Sequence, residues 1–350
     1  MREVVHAVKA DFDTVFTWDY ERSRSALVRL YEKAKTSQWN ASTDLDWSID
    51  VDPEKVASEL GAGGTQRFQA LAEAEGSPVK HFGEKEWQQV GIELQNSLLS
   101  QFMHGEQGAL LCTARIVETV PWIDAKYYAA TQVMDEARHV EVFAKYLDEK
   151  LGRQYGINPN LKGILDDILS DARWDIAYLG MQIMVEGLAL AAFGMMHQIT
   201  TEPLLKKLLR YVMSDEARHV AFGVLSLQEY YAQLSAAEMR ERQEFAFDVA
   251  RRLQRRFAHS EMWERMGVDP QAVYGVMDKV NPPAQQIFQQ LLFSKIVPNC
   301  KKLGLLDAAD GWLRRRFTEI GVIQFEDWAD TGEEYATLDE VEKDRGATAS

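Results

Sequence analysis

Cysteine, proline and long apolar runs are all scarce in this chain. Its 350 residues include 2 cysteines, 9 prolines and 22 glycines. Two cysteines are too few for a disulfide framework and suit a reducing compartment. No uninterrupted apolar run is long enough to span a membrane, and the acidic start lacks the apolar core of a signal peptide. We therefore expect a cytoplasmic protein that has no membrane partner.

Basic residues are outnumbered by acidic ones. The chain has 39 Lys and Arg against 54 Asp and Glu, a formal net charge of −15. This balance argues against nucleic acid as a partner. Two basic clusters, residues 251–256 and Arg314–Arg316, could receive an acidic electron donor or a carrier-bound substrate. The simpler interpretation is a solvated helix face with local ion pairs.

Apolar residues recur at helical spacing over most of the sequence, and no polar linker divides it. Helices are predicted over roughly 15–40, 84–120, 125–151, 163–198 and 203–234, with a break near Ser170. Ser235 and Glu238 form a capping box for a further helix. We predict an all-α protein with a single domain over 1–332. Its bundle core covers about 84–234, and residues 333–350 form an acidic, disordered tail.

One pentapeptide, Asp-Glu-Ala-Arg-His, occurs twice, at Asp135–His139 and Asp215–His219. The copies lie 80 residues apart, and a lone glutamate precedes each motif glutamate by 30 residues. The repeat relates two helical hairpins, residues ~96–147 and ~176–227. It yields two equal triads, which are Glu106, Glu136, His139 and Glu186, Glu216, His219.

These spacings suit a metal site inside a bundle. Residues three apart share one helix face, so each Glu-x-x-His can reach one ion from one helix. Glu106 and Glu186 have apolar neighbours at three- and four-residue offsets, which points their carboxylates into the core. Buried carboxylates are costly unless they are paired, and a metal satisfies several at once. Oxygen ligands with one imidazole per ion favour iron or manganese over zinc.

By these motifs, the chain resembles the ferritin-like diiron carboxylate proteins over roughly residues 90–230. It is closest in style to their oxygen-activating branch, which includes multicomponent monooxygenase hydroxylases, ribonucleotide reductase small subunits and related oxidases. The resemblance implies a ferritin-like four-helix bundle with extra helices at both ends. It also implies two iron ions, with a manganese–iron pair as the alternative. Each triad would hold one ion, and Glu136 and Glu216 would bridge them.

The resemblance assigns roles to the other motif residues as well. A metal-bound histidine usually donates its free N–H to a carboxylate. In the monooxygenases such aspartates serve the histidine of the other motif. We therefore expect Asp135 to pair with His219 and Asp215 with His139. Arg138 and Arg218 would pair with the same aspartates; an ordinary surface salt bridge is the alternative.

Three positions depart from particular relatives. Phe143 stands where ribonucleotide reductase small subunits carry a radical tyrosine. Gly108 stands where ligand-binding oxidases carry the valine of a Tyr–Val cross-link. Val212 stands where p-aminobenzoate N-oxygenases carry a third histidine, so their seven-ligand site is not reproduced. These departures count against all three relatives.

The residues around the triads suggest an apolar substrate pocket. Such a pocket keeps water away from a strongly oxidising centre. The candidate lining residues, any of which could instead be ordinary core, are Phe102, Met103, Leu110, Thr113, Phe143, Gln182, Leu190 and Phe222.

The leading functional hypothesis is a diiron oxygenase that hydroxylates or N-oxygenates a small organic substrate, free or carrier-bound. One alternative is a radical-generating or oxidase subunit, and another is a non-enzymatic iron-binding bundle. The chain has no flavin, nicotinamide or iron–sulfur motif, so turnover implies a separate electron-donor reductase. A homodimer is a further expectation.

Overall fold

The computed structural model describes residues 5–58, 70–255, 259–280 and 290–331. Within these ranges the regular structure is helical and includes no strand, which confirms the all-α prediction. The helices are α1 Ser25–Thr36, α2 Glu84–Thr119, α3 Ile123–Tyr146, α4 Pro159–Ser170, α5 Trp174–Ile199, α6 Pro203–Tyr231, α7 Ala236–Arg255, α8 Ser260–Arg265, α9 Pro270–Val280, α10 Ile296–Lys302 and α11 Ala308–Glu319. The predicted tail, residues 333–350, lies outside the described ranges.

Helices α2, α3, α5 and α6 form the central bundle. Helix α2 packs along α3, α5 packs along α6, and α3 also meets α6. The remaining helices cover this core: α1 lies on α3 and α6, while α7 packs against α4, α5 and α11. The four central helices are those that carry the repeated motifs.

The starts of two of these helices coincide with proline and capping residues in the sequence. Pro203 occupies the first turn of α6, and the Glu202 side chain accepts hydrogen bonds from the backbone N–H groups of Leu204 and Leu205. The Ser235–Glu238 capping box is present, with the Ser235 N–H donating to Glu238 Oε2 at 2.8 Å. Helix-end N–H groups have no partner within the helix, so each such bond stabilises a helix start.

The predicted helix over 15–40 is wrong in its first part. Residues 5–24 are not helical and lie across the bundle as a strap. The Val15 N–H donates to Glu118 O at 2.8 Å, and Thr17 Oγ1 donates to Pro121 O at 2.8 Å. These bonds occupy the end of α2, and β-branched residues such as Val15 and Thr17 suit an extended backbone. Regular helix begins only at Ser25.

Helix α5 has an unusual apolar character. The segment Trp174–Ile199 is long and apolar enough to cross a membrane by length and composition. Its most apolar window is 100% buried inside the bundle, however, as in the core helix of a large helical domain.

The basic clusters form local ion pairs where they are described. Arg252 pairs with Asp167 and Asp248. The three arginines of Arg314–Arg316 pair with Asp307, Glu326, Asp310 and Glu319. Arg256 lies outside the described residues. These contacts favour the solvated-face interpretation of both clusters.

Candidate metal centre

The structure brings all six predicted ligand side chains together between the four central helices. Helix α2 supplies Glu106, α3 supplies Glu136 and His139, α5 supplies Glu186, and α6 supplies Glu216 and His219. Each is at most 4% exposed. Four helices thus each present the ligands that a two-metal bundle site needs.

One half of the cluster surrounds His139. Its Nδ1 lies 3.3 Å from Glu106 Oε2, 3.4 Å from Glu136 Oε2 and 3.2 Å from Glu216 Oε1. Ligand atoms from these four residues all lie within 4.8 Å of one another. This is the spacing of donors around a single ion.

The other half surrounds His219. Its Nδ1 lies 3.1 Å from Glu136 Oε1 and 3.6 Å from Glu216 Oε1, while Glu136, Glu186 and His219 form a second group within 4.8 Å. Glu136 therefore belongs to both groups, and Glu216 approaches both histidines. These two carboxylates occupy the middle of the cluster.

Helix α5 changes its winding immediately before Glu186. Residues Leu179–Val185 are π-helical, and the Glu186 N–H donates to Met181 O, five residues earlier. A π turn inserts an extra residue and rotates everything that follows relative to an α-helix. This rotation sets the direction in which the Glu186 carboxylate leaves the helix.

Several ligand atoms have no hydrogen-bond partner although they are buried. They are Glu136 Oε2, Glu186 Oε2, both carboxylate oxygens of Glu216, and His219 Nδ1. Native proteins rarely leave such atoms unpaired, because each costs its full desolvation free energy. A donor set of four carboxylates and two imidazoles also matches iron or manganese. The residues present therefore fit a two-metal cofactor.

The ionisation of the metal-free cluster reflects crowding of like charges. Burial, with repulsion from Glu216, raises the pKa of Glu106 to about 8. Burial, with repulsion from Glu136 and Glu216, raises the pKa of Glu186 well above its usual value. Without metal, both carboxyls thus hold protons that a bound cation would displace.

The pKa values of the histidines and of Glu136 shift so as to favour their charged forms. Burial opposes the charged form of each, but their mutual attraction outweighs it. The neighbouring carboxylates, with Asp215 foremost for His139 and Glu136 foremost for His219, raise both imidazole pKa values. The two histidines hold the pKa of Glu136 well below its usual range. Glu136 thus stays ionised without metal.

Each histidine is held by the aspartate of the other repeat. His139 Nε2 lies 3.2 Å from Asp215 Oδ2, and His219 Nε2 lies 3.2 Å from Asp135 Oδ2. These are the crossed pairs that the sequence analysis expected. An aspartate on Nε2 leaves Nδ1 of each ring facing the cluster, where it can bind metal.

The two motif arginines tie the aspartates together. Arg138 pairs with Asp135 on its own helix and lies 3.4 Å from Asp215. Arg218 pairs with Asp215 and lies 3.7 Å from Asp135. Both arginines are at most 6% exposed, so these are buried ion pairs and not surface salt bridges.

Sequence reasoning missed three residues that contact this network. Trp39 Nε1 donates to Asp215 Oδ2 at 2.7 Å, and Gln38 Nε2 donates to Asp135 Oδ1 at 3.3 Å. Gln132 Nε2 donates to Glu136 Oε1 at 2.8 Å and to Glu186 Oε1 at 3.1 Å. Gln132 precedes Glu136 by one turn, a spacing that could have revealed it. Nothing local marks the other two.

The candidate pocket residues lie in the core around the cluster. Phe102 packs on Phe193 and Phe143, with ring centroids 4.6 and 6.4 Å away, and Phe222 packs on Tyr128 at 4.4 Å. Seven of the eight candidates are buried, and Leu110 is half-buried. A cavity of about 780 Å³ lies on the opposite side of α2, beneath the strap, and other residues line it. Pocket lining therefore stays a prediction.

The three positions that differ from particular relatives have clear packing environments. Phe143 is 1% exposed and stacks on Phe193 with 5.6 Å between ring centroids. A Cβ at Gly108 would come within 2.4 Å of Leu165 Cδ2, so a valine there would require the Leu165 side chain to move. Val212 is fully buried.

The sequence of this chain matches the model of a known protein family. A family model described as p-aminobenzoate N-oxygenase AurF matches residues 20–304, which is most of the chain. The chain belongs to this family. The expectation of an oxygen-dependent oxidoreductase is thereby confirmed. Counting Val212 against these N-oxygenases was wrong as a statement about family, since the match holds without a histidine at that position.

Solved structures agree on the fold. An R2-like ligand-binding oxidase with an aerobically reconstituted Mn/Fe cofactor, after a long soak, is 18% identical with a TM-score of 0.51. A point mutant of that oxidase is also 18% identical, with a TM-score of 0.50. Each alignment covers 81% of this chain and 94% of the other. This likeness confirms the ferritin-like helical fold. A search of curated proteins gave no significant match.

Proposed function

We propose that the protein uses two iron ions at this cluster to N-oxygenate a small aromatic amine. The observation that carries the proposal is a buried cluster of four glutamates and two histidines with unpaired donor atoms, in a member of an N-oxygenase family. Glu106, Glu136 and His139 would hold one ion, and Glu186, Glu216 and His219 the other. Glu136 and Glu216 would be shared, as their central positions suggest.

Bound iron would supply O2 binding and reversible redox chemistry. In the overall reaction, an arylamine, O2, two electrons and two protons give an aryl hydroxylamine and water. An N–O bond forms, the O–O bond breaks, and the amine nitrogen is oxidised. The two electrons would come from a separate reductase, since the sequence has no flavin, nicotinamide or iron–sulfur motif.

The protein's own residues would control charge and water. Four glutamates, two aspartates, two arginines and two divalent ions sum to no net charge. A neutral, buried centre favours a neutral reactant, and an arylamine is uncharged near neutral pH. Phe102 and Phe143, one turn from Glu106 and His139, pack with Phe193 and would help to exclude water from the cluster.

Two ferrous ions are preferred here to a mixed manganese–iron pair, because iron suits the oxygenase chemistry of the family. The test is anaerobic loading with Fe(II), followed by exposure to ¹⁸O₂ with the neutral arylamine p-toluidine and a chemical reductant. We expect two ions per chain and ¹⁸O on the product nitrogen. Label on a ring carbon would point to hydroxylation, and failure to bind two ions would overturn the proposal.

A matched pair of variants makes this test specific. Glu136→Ala removes the shared carboxylate and should abolish both binding of the ion pair and turnover. Glu93→Ala is the control, because Glu93 is likewise a buried glutamate, on α2, but accepts a hydrogen bond from Tyr155 instead. It should leave metal content unchanged even if it lowers stability.

One observation favours an oxidase or radical-generating role as the second candidate. Trp39 bonds Asp215, stacks on His139 with 6.5 Å between ring centroids and stacks on Tyr211 at 5.0 Å, so an oxidisable ring lies beside His139 and contacts a second one. A persistent organic radical after reaction with O2, seen by EPR and lost in Trp39→Phe, would support that role over N-oxygenation.

We also propose a homodimer, formed through the strap. Phe16 and Trp18 are 69% and 75% exposed and stack on each other at 5.2 Å. Exposed stacked aromatics of this kind commonly mark protein interfaces. Replacing both by serine should convert a dimer into a monomer in sedimentation analysis. As a separate point, we propose that the protein is cytoplasmic.

A further inference from the structure

The carboxamide of Gln182 is a buried polar group without hydrogen-bond partners, close to the metal cluster. The residue is fully buried, and neither Nε2 nor Oε1 has a hydrogen-bond partner. A primary amide offers two donors and an acceptor, and leaving all of them unpaired away from water destabilises the fold. Such a group persists most readily where a bound molecule supplies its partners.

The position of Gln182 places it beside the proposed reaction site. It lies one turn before Glu186 on α5, within the π-helical segment. It also packs against the turn of α6 that follows His219, because a Cβ on Gly223 would lie 2.6 Å from Gln182 Cβ. Helices α5 and α6 are consecutive and packed together, so both approaches locate Gln182 at the same corner of the cluster.

Glycine at position 223 makes room for this side chain. Any larger residue would overlap Gln182 at its Cβ, which cannot rotate away. Phe222, the residue before Gly223, packs on Tyr178, one turn before Gln182, with ring centroids 5.0 Å apart. The unpaired amide thus has aromatic residues on its own and the neighbouring helix, a combination that suits a substituted benzene ring.

We propose that Gln182 binds a neutral hydrogen-bonding substituent on the aromatic amine, remote from the reacting nitrogen. Gln182 and Glu186 are four residues apart on α5, so the amide and the metal-binding carboxylate can contact opposite ends of one benzene ring. The inference rests on the proposed function, since it assumes that the amine faces the metals.

The chemistry of the amide sets the preferred substituent. A carboxamide or hydroxyl can both donate and accept, so it satisfies both ends of Gln182. A carboxylate can only accept, would leave Gln182 Oε1 unpaired, and would bring charge into a neutral buried site. A methyl group satisfies neither end. The substrate class is thus an arylamine with a neutral polar para group.

The direct test measures binding without turnover. Calorimetry on the Zn(II)-loaded protein would compare 4-aminobenzamide, p-aminobenzoate and p-toluidine, with benzamide as a probe that lacks the amine. We expect 4-aminobenzamide to bind about tenfold tighter than p-toluidine, the size of one neutral hydrogen bond. In Gln182→Met the two should bind equally, because methionine keeps the volume and removes the polar atoms.

A stability measurement separates binding from a structural role. Gln182→Met should raise the melting temperature of the ligand-free protein, because it removes an unpaired buried amide. It should also weaken the binding of 4-aminobenzamide. Gln95→Met is the matched control: Gln95 is a buried amide of α2 with both side-chain atoms unpaired, 11 residues before Glu106. It should leave the selectivity between the two ligands unchanged.

The outcomes distinguish this inference from the proposed function. If p-toluidine is N-oxygenated but Gln182→Met leaves ligand selectivity unchanged, the subsite is wrong and the function stands. If benzamide binding depends on Gln182 but no amine is N-oxygenated, the subsite stands and the function fails. A ligand-bound structure in which Gln182 bonds only an ordered water would overturn the subsite.

Discussion

Trp39 Nε1 donates to Asp215 Oδ2 at 2.7 Å, and the same carboxylate oxygen lies 3.2 Å from His139 Nε2. A residue from the loop after α1 thereby contacts the group that orients a metal-facing histidine of α3. The Trp39 indole also stacks on Tyr211. The Arg138 guanidinium lies over the indole, with its Cζ 5.1 Å from the ring centroid. The loop after α1 is therefore part of the metal centre's support.

Trp39→Phe tests this support. It keeps the stacking ring but removes the N–H, so Asp215 orients His139 less firmly. We expect metal affinity to fall about three- to tenfold in chelator competition. Trp47→Phe is the control, because Trp47 Nε1 donates to the backbone oxygen of Ala41 instead. Equal affinity losses in both variants would contradict a specific role for Trp39.

The crossed aspartates make a second prediction. Asp135→Asn and Asp215→Asn should each weaken metal binding about 10–100-fold, because an amide cannot hold the imidazole as a carboxylate does. Asp175→Asn is the matched control, since Asp175 forms a buried ion pair with Arg242 at 2.9 Å outside the cluster. It should lower the melting temperature but leave metal affinity intact.

The pH dependence of stability should differ with and without metal. The pKa of Glu106 in the folded, metal-free protein is about 8 against 4.5 when unfolded, so folding takes up a proton between these values. Its contribution to stability is therefore greatest below pH 4.5 and is lost as pH rises toward 8. The raised pKa values of Glu186 and both histidines act in the same direction.

Metal binding reverses this trend, because cations replace the protons and bind more tightly as pH rises. The gap in melting temperature between metal-loaded and metal-free protein should widen from about pH 5.5 to about pH 8. Glu106→Gln should flatten the slope of the metal-free protein. A metal-free protein whose stability rises over that interval, with the same slope in Glu106→Gln, would refute the prediction.

Gly223→Ala should damage the centre through packing. Its Cβ would meet Gln182 Cβ at 2.6 Å, so α5 and α6 must separate, at a cost of about 1–3 kcal/mol in the free energy of unfolding. Gly194→Ala in α5 is the control, because the nearest atom to its Cβ is Met213 Cε at 3.8 Å. That change should stabilise the helix by about 0.5–1 kcal/mol. Denaturant unfolding of both variants measures the difference.

The ligand set was accessible from sequence because its geometry is local. Glu-x-x-His fixes two side chains on one face, and the repeat supplies Glu106 and Glu186 by equal spacing. The strap was mispredicted, because the Val15 backbone and the Thr17 side chain are hydrogen-bonded to Glu118 and Pro121, about a hundred residues away. Trp39 likewise meets Asp215 only in the folded chain. The π turn before Glu186 has no composition that marks it.

The crossed contacts also make the two repeats interdependent. His139 of the first hairpin is held by Asp215 of the second, His219 by Asp135 of the first, and Glu136 belongs to both ion groups. Neither hairpin contains a complete half-site, so neither could have bound its ion in this way before the two were joined. Loading should accordingly be cooperative, with a singly occupied protein scarce at every metal concentration.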